Sequence, residues 1–461
     1  MTLRERRIMI FRSWFLSQLA VLFVGALGIA LIPARPLAAS PSVPAEVGRY
    51  RVEGVVTREQ RSAISATGVD IEGARPGPAE IVATADQVQR IRALGFAVWP
   101  SAQSPDIPLD VTDYHNYNDL TAEVLAVAAR YPQITQLFSI GLSYEGRDLW
   151  AMKISDNAQT DEDEPEVLLV GHYHAREHLT VEMMLYLLHI LTDEYDASQP
   201  TSQITQLVDA DEIYLVFDLN PDGGEYDFIS GVYGYWRKNR QPNANSDFIG
   251  TDLNRNHGYQ WGNPEGASYD PASDIYRGAA PASAPEVAAM QAFIDSRVVN
   301  GAQQISVAIS FHVPGQLILW PYAYTYDDLP SDMRADDQLV FAAMGYAMAA
   351  TNGYRPEQFS DMYIASGEFT DWAYGVHRIF AYTFEMATSF YLPGTMIPVE
   401  TARNRAAVLY LLSNAGCPYT TVGKADDHCT VGRINPPSYL WLPLLAVDAN
   451  LPAARAASDS S

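Results

Sequence analysis

His174-Ala175-Arg176-Glu177-His178 puts two imidazoles and a carboxylate within five residues, directly after the apolar run Val167-Leu168-Leu169-Val170. A turn can aim such groups at one point, which makes a divalent metal the first chemistry to consider. The pentapeptide admits two zinc arrangements. In one, His174 and Glu177 are ligands and a third arrives from far along the chain. In the other, His174 and His178 bind the metal and Glu177 is a base, an H-x-x-E-H pattern. A polar loop with incidental histidines is the bland alternative.

Other chemistry-bearing residues also follow apolar runs. Phe217 leads to Asp218-Leu219-Asn220-Pro221-Asp222-Gly223, Phe311 to His312, and Phe384 to Glu385. In open α/β sheets, ligands bind beyond the carboxyl ends of the strands, so four separate segments aim at one crevice. His312 is the natural third ligand, and a His/Glu/His set leaves a fourth position for water. Asp252, just before Asn254-Arg255-Asn256, can orient a ligand histidine from behind. Glu385 sits in Tyr382-Thr383-Phe384-Glu385-Met386, a costly place for an acid without a task. It reads as a general base acting on water, or as a carboxylate paired with a buried arginine.

The elements that must position these groups are legible from periodicity. Helices are expected at 120–131, 179–191, 285–296, 338–351 and 399–412. Strands are expected at 136–140, 149–154, 166–171, 213–217, 305–311 and 379–384. Apolar strands alternating with helices predict an α/β unit, a mixed and mostly parallel twisted sheet with helices on both faces, over residues 109–414. Ahead of it lies an internal repeat. Thr57, Gln60, Ile64 and Gly68 recur as Thr84, Gln87, Ile91 and Gly95, each Thr-to-Gln spacing being a capping-box helix start. Apolar runs flank both copies, which predicts a small α+β module of split βαβ type within residues 41–108. The stretch 100–108 is dense in Pro, Ser and Asp and reads as an exposed boundary. Residues 415–461 form a Pro-rich extension.

At 461 residues the chain exceeds one small core, and 48% hydrophobic against 18% charged is a globular composition. A formal net charge of −25 would repel phosphate backbones, which excludes nucleic acid as a partner. Arg4, Arg6, Arg7 and Arg12 precede an apolar stretch at 14–32, followed by Pro33 and Ala38-Ala39-Ser40. That is the layout of a secretory signal over residues 1–40, with an uncleaved membrane anchor as the alternative. Cys417 and Cys429 can close one small loop in an exported protein.

Taken together, the motifs resemble the zinc metallocarboxypeptidases of the carboxypeptidase A/B family. The resemblance covers about residues 114–412 and, more loosely, the repeat, which resembles that family's inhibitory propeptide. It rests on Tyr144-Glu145-Gly146-Arg147, His174-x-x-Glu177, Asn220-Pro221-Asp222-Gly223, Trp236-Arg237-Lys238, Asp252-Leu253-Asn254-Arg255-Asn256, Tyr363-Ile364-Ala365-Ser366-Gly367 and Phe384-Glu385. It implies a carboxypeptidase-like fold and one zinc ion held by His174, Glu177 and His312, with His178 a bystander. It implies that Arg255 and Asn254 hold a terminal carboxylate, that Arg237 stabilises the oxyanion, and that Glu385 serves as base and then acid. Tyr363 would close over the bound residue and Arg176 would line a subsite further along the peptide. The implied function is a secreted, zymogen-type peptidase, monomeric, acting on peptides or proteins with a free C-terminus and free of the membrane once mature.

The resemblance is closest to the bacterial carboxypeptidase T-like branch, on the strength of an acid at Glu368. The position used by the family's basic-specific digestive branch holds Thr370. Leu319, Ala323 and Ala365 would supply apolar wall, so a pocket with one carboxylate would accept both hydrophobic residues and Lys/Arg. After His312 the chain has Val313-Pro314 where the family usually has Ser-Tyr, which alters a wall of the cleft. Two alternatives stand beside this reading: a zinc amidohydrolase on the same fold acting on cell-wall peptides, and a non-catalytic peptide-binding homologue. The repeat module is expected to cover the cleft until cleavage between about Ser101 and Asp113.

Overall fold

The computed structural model describes residues 47–72, 77–101, 113–228, 233–430 and 433–434. The expected signal, the linker ahead of residue 47, most of the cleavage segment and the run after residue 434 lie outside them. Among the described residues no helix is long and apolar enough to cross a membrane.

The repeat folds as β1 (Val47–Glu53), α1 (Arg58–Ser65), β2 (Asp70–Glu72), β3 (Ala79–Thr84), α2 (Ala85–Ala93) and β4 (Ala97–Pro100). Thr57 and Thr84 each accept from the third helical N–H, and Gln60 and Gln87 reach back, so both capping boxes form. Gly68 and Gly95 take the left-handed φ of 91° and 95° that follows each helix. The four strands pair antiparallel in the order β2-β3-β1-β4.

The larger part begins with α3 (Tyr117–Arg130), β5 (Thr135–Leu142), β6 (Asp148–Ile154), β7 (Glu166–Val170), α4 (Leu179–Asp193), α5 (Gln203–Val208), β8 (Glu212–Val216) and α6 (Pro221–Asp227). It continues through α7 (Pro285–Ser296), the short β9 (Val298–Val299) and β10 (Ala302–Gln303), β11 (Ile305–His312) and β12 (Leu317–Trp320). Next come α8 (Ala335–Asn352), β13 (Arg355–Gln358), α9 (Phe359–Met362), α10 (Phe369–His377), β14 (Phe380–Glu385), α11 (Ile397–Arg403) and α12 (Arg405–Leu412), followed by the short α13 (Ala425–His428), β15 (Cys429–Thr430) and β16 (Arg433–Ile434). Eight strands form one mixed sheet, ordered β13-β12-β14-β11-β7-β8-β6-β5. Its centre, β14-β11-β7-β8, is parallel throughout. Every residue of β7, β8 and β11 is buried, as expected for strands covered on both faces.

The expected helix at 399–412 is two helices meeting at Asn404. Asn404 is fully buried, and its side-chain amide donates to Glu400 O at 3.0 Å, competing with the backbone ladder at the junction. The expected cysteine loop is closed by a Cys417–Cys429 disulfide. The repeat module shares its core with the larger part: Ile64, Ile71 and Ile81 cluster with Leu317, Phe359, Met362 and Tyr363.

Candidate active site

The parallel centre of the sheet delivers the site. β7 ends at Val170 and the chain turns through His174 to Glu177 before α4 begins at Leu179. His312 and Glu385 end β11 and β14 and are register partners across that pair. His174, Glu177 and His312 are 3%, 2% and 1% exposed, and their ligand atoms gather within 4.8 Å of one another. His174 Nδ1 lies 2.8 Å from Glu177 Oε1, and His312 Nδ1 lies 3.0 Å from Glu177 Oε2 and 3.2 Å from His174 Nδ1. The outward nitrogens are engaged elsewhere: His174 Nε2 with Asp252 Oδ1 at 3.2 Å, and His312 Nε2 with Ser310 Oγ at 2.9 Å. With Nε2 as the donor to Asp252, the inward Nδ1 of a neutral His174 is a lone pair, facing a carboxylate and a second imidazole. Converging acceptors call for a cation. A tetrahedral zinc site with arms of about 2.1 Å has donor–donor edges of roughly 3.4 Å, close to those found. The donor set fits zinc.

His178 points away. Its Nε2 meets Asp227 Oδ2 at 3.0 Å, which removes the arrangement in which His174 and His178 are the ligands. Glu177 is held ionised: burial would raise it, but His174 and His312 more than offset that and bring its carboxyl below the ordinary range. Asp252 bridges two site residues, taking His174 on one oxygen and Arg237 Nε at 3.0 Å on the other.

Arg237, Asn254, Arg255, Tyr363 and Glu385 line the same cavity as the three candidate ligands. Burial, with the nearby charges of Glu177 and Asp70, pushes the Glu385 carboxyl well above the ordinary carboxylate value. That suits a group that must accept and return a proton. Arg255 is 1% exposed and donates from Nη1 to Asn254 O at 2.7 Å. Its Nε and Nη2 hydrogens meet no partner among the described residues, which leaves donors for a carboxylate.

Glu368 is fully buried behind this cavity. It caps α10, accepting from Asp371 N–H at 3.0 Å and Thr370 Oγ1 at 2.7 Å, and its other oxygen takes Asn254 Nδ2 at 3.3 Å. The acid therefore has a local structural task as well as a place behind Asn254, which lines the cavity. Val313 and Pro314 line the cavity, so the departure after His312 falls on its wall.

One residue of this site was missed in the sequence. Asp70, from β2 of the repeat module, reaches between Arg176 Nη2 at 3.0 Å and Arg237 Nη1 at 2.9 Å, and accepts from the Tyr363 hydroxyl at 3.3 Å. Burial would raise its carboxyl, but Arg237 and Arg176 hold it below the ordinary value. A cavity of about 20 Å³ remains, enough for a water and too small for a peptide. The signal was present: Val69-Asp70-Ile71 is an acid inside an apolar run, the same argument that singled out Glu385.

A family model described as zinc carboxypeptidase matches residues 120–407. A zinc carboxypeptidase of Saccharothrix mutabilis subsp. capreolus is 39% identical, over 87% of this chain and 97% of its own. Carboxypeptidase B of Astacus astacus is 31% identical, over 63% of this chain and 92% of its own. Among solved structures, carboxypeptidase A from Helicoverpa armigera superposes with a TM-score of 0.69 at 21% identity, covering 82% of this chain and 98% of that one.

Proposed function

The chain belongs to the zinc carboxypeptidase family, a zinc-dependent peptide hydrolase, and from that premise we propose which residues carry its reaction and on what substrate. The reading rests on one observation above the others: the ends of β7, β11 and β14 bring His174, Glu177, His312 and Glu385 around one buried point.

His174, Glu177 and His312 would hold the zinc ion, which when bound would supply Lewis-acid polarisation and a lowered pKa for water. The chain's own groups do the rest. Arg255 and Asn254 hold the terminal carboxylate of a peptide, which selects the last peptide bond. Arg237 donates to the oxygen that gains charge as water adds to the scissile carbonyl. Glu385 takes a proton from the attacking water and returns it to the leaving amine. Tyr363 covers the bound terminal residue, and Arg176 lines a subsite for the residues before the cut. Leu319, Ala323 and Ala365 form apolar wall and Glu368 adds one carboxylate, which gives mixed preference for hydrophobic and basic C-terminal residues.

The chain is exported by a signal over residues 1–40, and the mature form is a monomer free of the membrane. The module within 41–108 is an inhibitory prosegment, the catalytic domain spans 109–414, and cleavage between about Ser101 and Asp113 activates it. Five contacts support that latency. Asp70 occupies the two arginines that substrate would need. Arg58 and Arg61 of α1 bind Asp361 Oδ1 and Met362 O, both at 2.6 Å, and Ser62 Oγ accepts from Ile364 N–H at 2.9 Å, so the segment around Tyr363 is held in place.

The test is C-terminal ladder sequencing of mixed peptides by the full chain, before and after linker cleavage, with and without chelator. Stepwise loss of single C-terminal residues, only after cleavage and only without chelator, is expected. Internal cleavage, or release of cell-wall peptides in preference to ordinary ones, would reject the reading.

A further inference from the structure

Asp227 closes α6 and is 1% exposed. Its carboxylate meets three groups from three segments: His178 Nε2 at 3.0 Å, the Trp236 N–H at 2.7 Å and the Tyr391 hydroxyl at 2.8 Å. Each partner adjoins a residue of the site. His178 follows Glu177, Trp236 precedes Arg237, and Tyr391 lies on the loop that leaves Glu385.

Backbone bonds join the same segments. Ala175 N–H donates to Arg237 O at 3.1 Å, Gly234 N–H to Asp227 O at 3.0 Å, and Arg176 Nη1 to Tyr235 O at 3.1 Å. The His178 ring packs 4.0 Å from Phe228 and 5.5 Å from Tyr233, and Tyr391 stacks 3.9 Å from Tyr233. A buried carboxylate in such aromatic company is costly unless fixed donors satisfy it. The donors of the metal loop, the Arg237 segment and the Glu385 loop are therefore obliged to meet at one point.

We propose that Asp227 is a positioning residue of the reaction. Through Trp236, His178 and Tyr391 it sets the guanidinium of Arg237 in register with the metal loop and the end of β14. Asp227 does not line the cavity, so it acts through the residues that do. The inference rests on the oxyanion role assigned to Arg237 above.

The test uses the full chain, zinc-saturated and cut in the linker, with N-blocked dipeptides. It also measures the affinity of a phosphonate transition-state analogue and of a free amino-acid product. In Asp227→Asn an amide replaces one acceptor oxygen. kcat is expected to fall about 10- to 100-fold, because a misplaced group far from the chemistry costs on that scale. KM is expected to stay within about twofold, the pattern of an interaction made only in the transition state. Phosphonate affinity falls in proportion to kcat, and product affinity, held by Arg255 and Asn254, is unchanged. Tyr391→Phe removes one donor and shows the same split at about threefold, which keeps the test decisive should Asp227→Asn fail to fold. Equal losses of kcat, product affinity and KM would mark a merely structural role and overturn the proposal, as would an unchanged kcat. Arg237→Lys separates the two readings. If it leaves kcat and phosphonate affinity intact, the oxyanion assignment fails. If it lowers both while the folded Asp227 and Tyr391 variants do not, only the present inference fails.

Discussion

Asp70 is a single carboxylate set against Arg176 and Arg237, the two arginines proposed above to meet substrate. Breaking a buried pair of this kind from one side costs about 3–5 kcal/mol, because the partner charge is left uncompensated. Asp70→Asn is therefore expected to weaken latency by about 100-fold or more, read as the activity of the uncut chain against that of the cut chain on a small substrate. Unchanged latency would mean that the module blocks by bulk alone. The pH sign follows from the lowered carboxyl. Its stabilising contribution is present above the unfolded value of about 3.9 and is lost as pH falls through the lower folded value. Latency should thus hold across neutral pH and weaken only in acid. Glu368 admits a sharper test than its sequence position allowed. As the cap of α10, Glu368→Ala should cost about 1 kcal/mol of stability regardless of substrate. A pocket role adds a selective loss on C-terminal Lys or Arg over Leu or Phe, measured as the ratio of kcat/KM. A ratio that does not move would leave Glu368 as a cap and nothing more. Asp252, Arg237 and Glu385 were legible because each lies in a short motif of unusual chemistry. The apolar run around Asp70 signalled a buried acid, but its role was not legible, since that depends on a partner segment more than 100 positions away.

At the scale of elements, periodicity located what periodicity governs. β7, β8 and β11 are continuous apolar runs and α4 is buried along nearly its whole length, so their extents were readable to within a few residues. β12 and β13 were not. Each has four residues, and they owe their strand conformation to pairing with β14 and with each other. α6 was hidden by Gly223-Gly224, which oppose helix by propensity. Asn220 Oδ1, capping Gly223 N–H, and Pro221 in the first turn start it nonetheless. Glu368 is the N-cap of α10, so the residue read as pocket chemistry was also a helix signal. The capping boxes of α1 and α2 were visible and are testable. Thr57→Ala should cost about 1 kcal/mol locally. Because α1 carries Arg58, Arg61 and Ser62 onto the Tyr363 segment, hydrogen exchange should rise at 359–364 as well as at 58–65. Faster exchange confined to α1 would argue that the module does not hold that segment.

For the whole molecule, three segments distant in sequence, those that end β7, β11 and β14, become one site because a parallel sheet places its strand ends side by side, whereas residues 218–223 after β8 do not line the cavity. The order of those strands could not be derived from the sequence, because pairing across the sheet is set by contacts between distant segments. The shared core between the module and the tyrosine-bearing wall has the same character, since nothing in the local pattern of Ile64 or Ile71 names Phe359 as a neighbour. The account depends throughout on one metal held by residues from two of those segments. Its most direct test is the zinc content of the purified full chain beside that of His312→Ala. One zinc per chain in the former and none in the latter is the expected result; stoichiometric zinc retained without His312 would contradict the account.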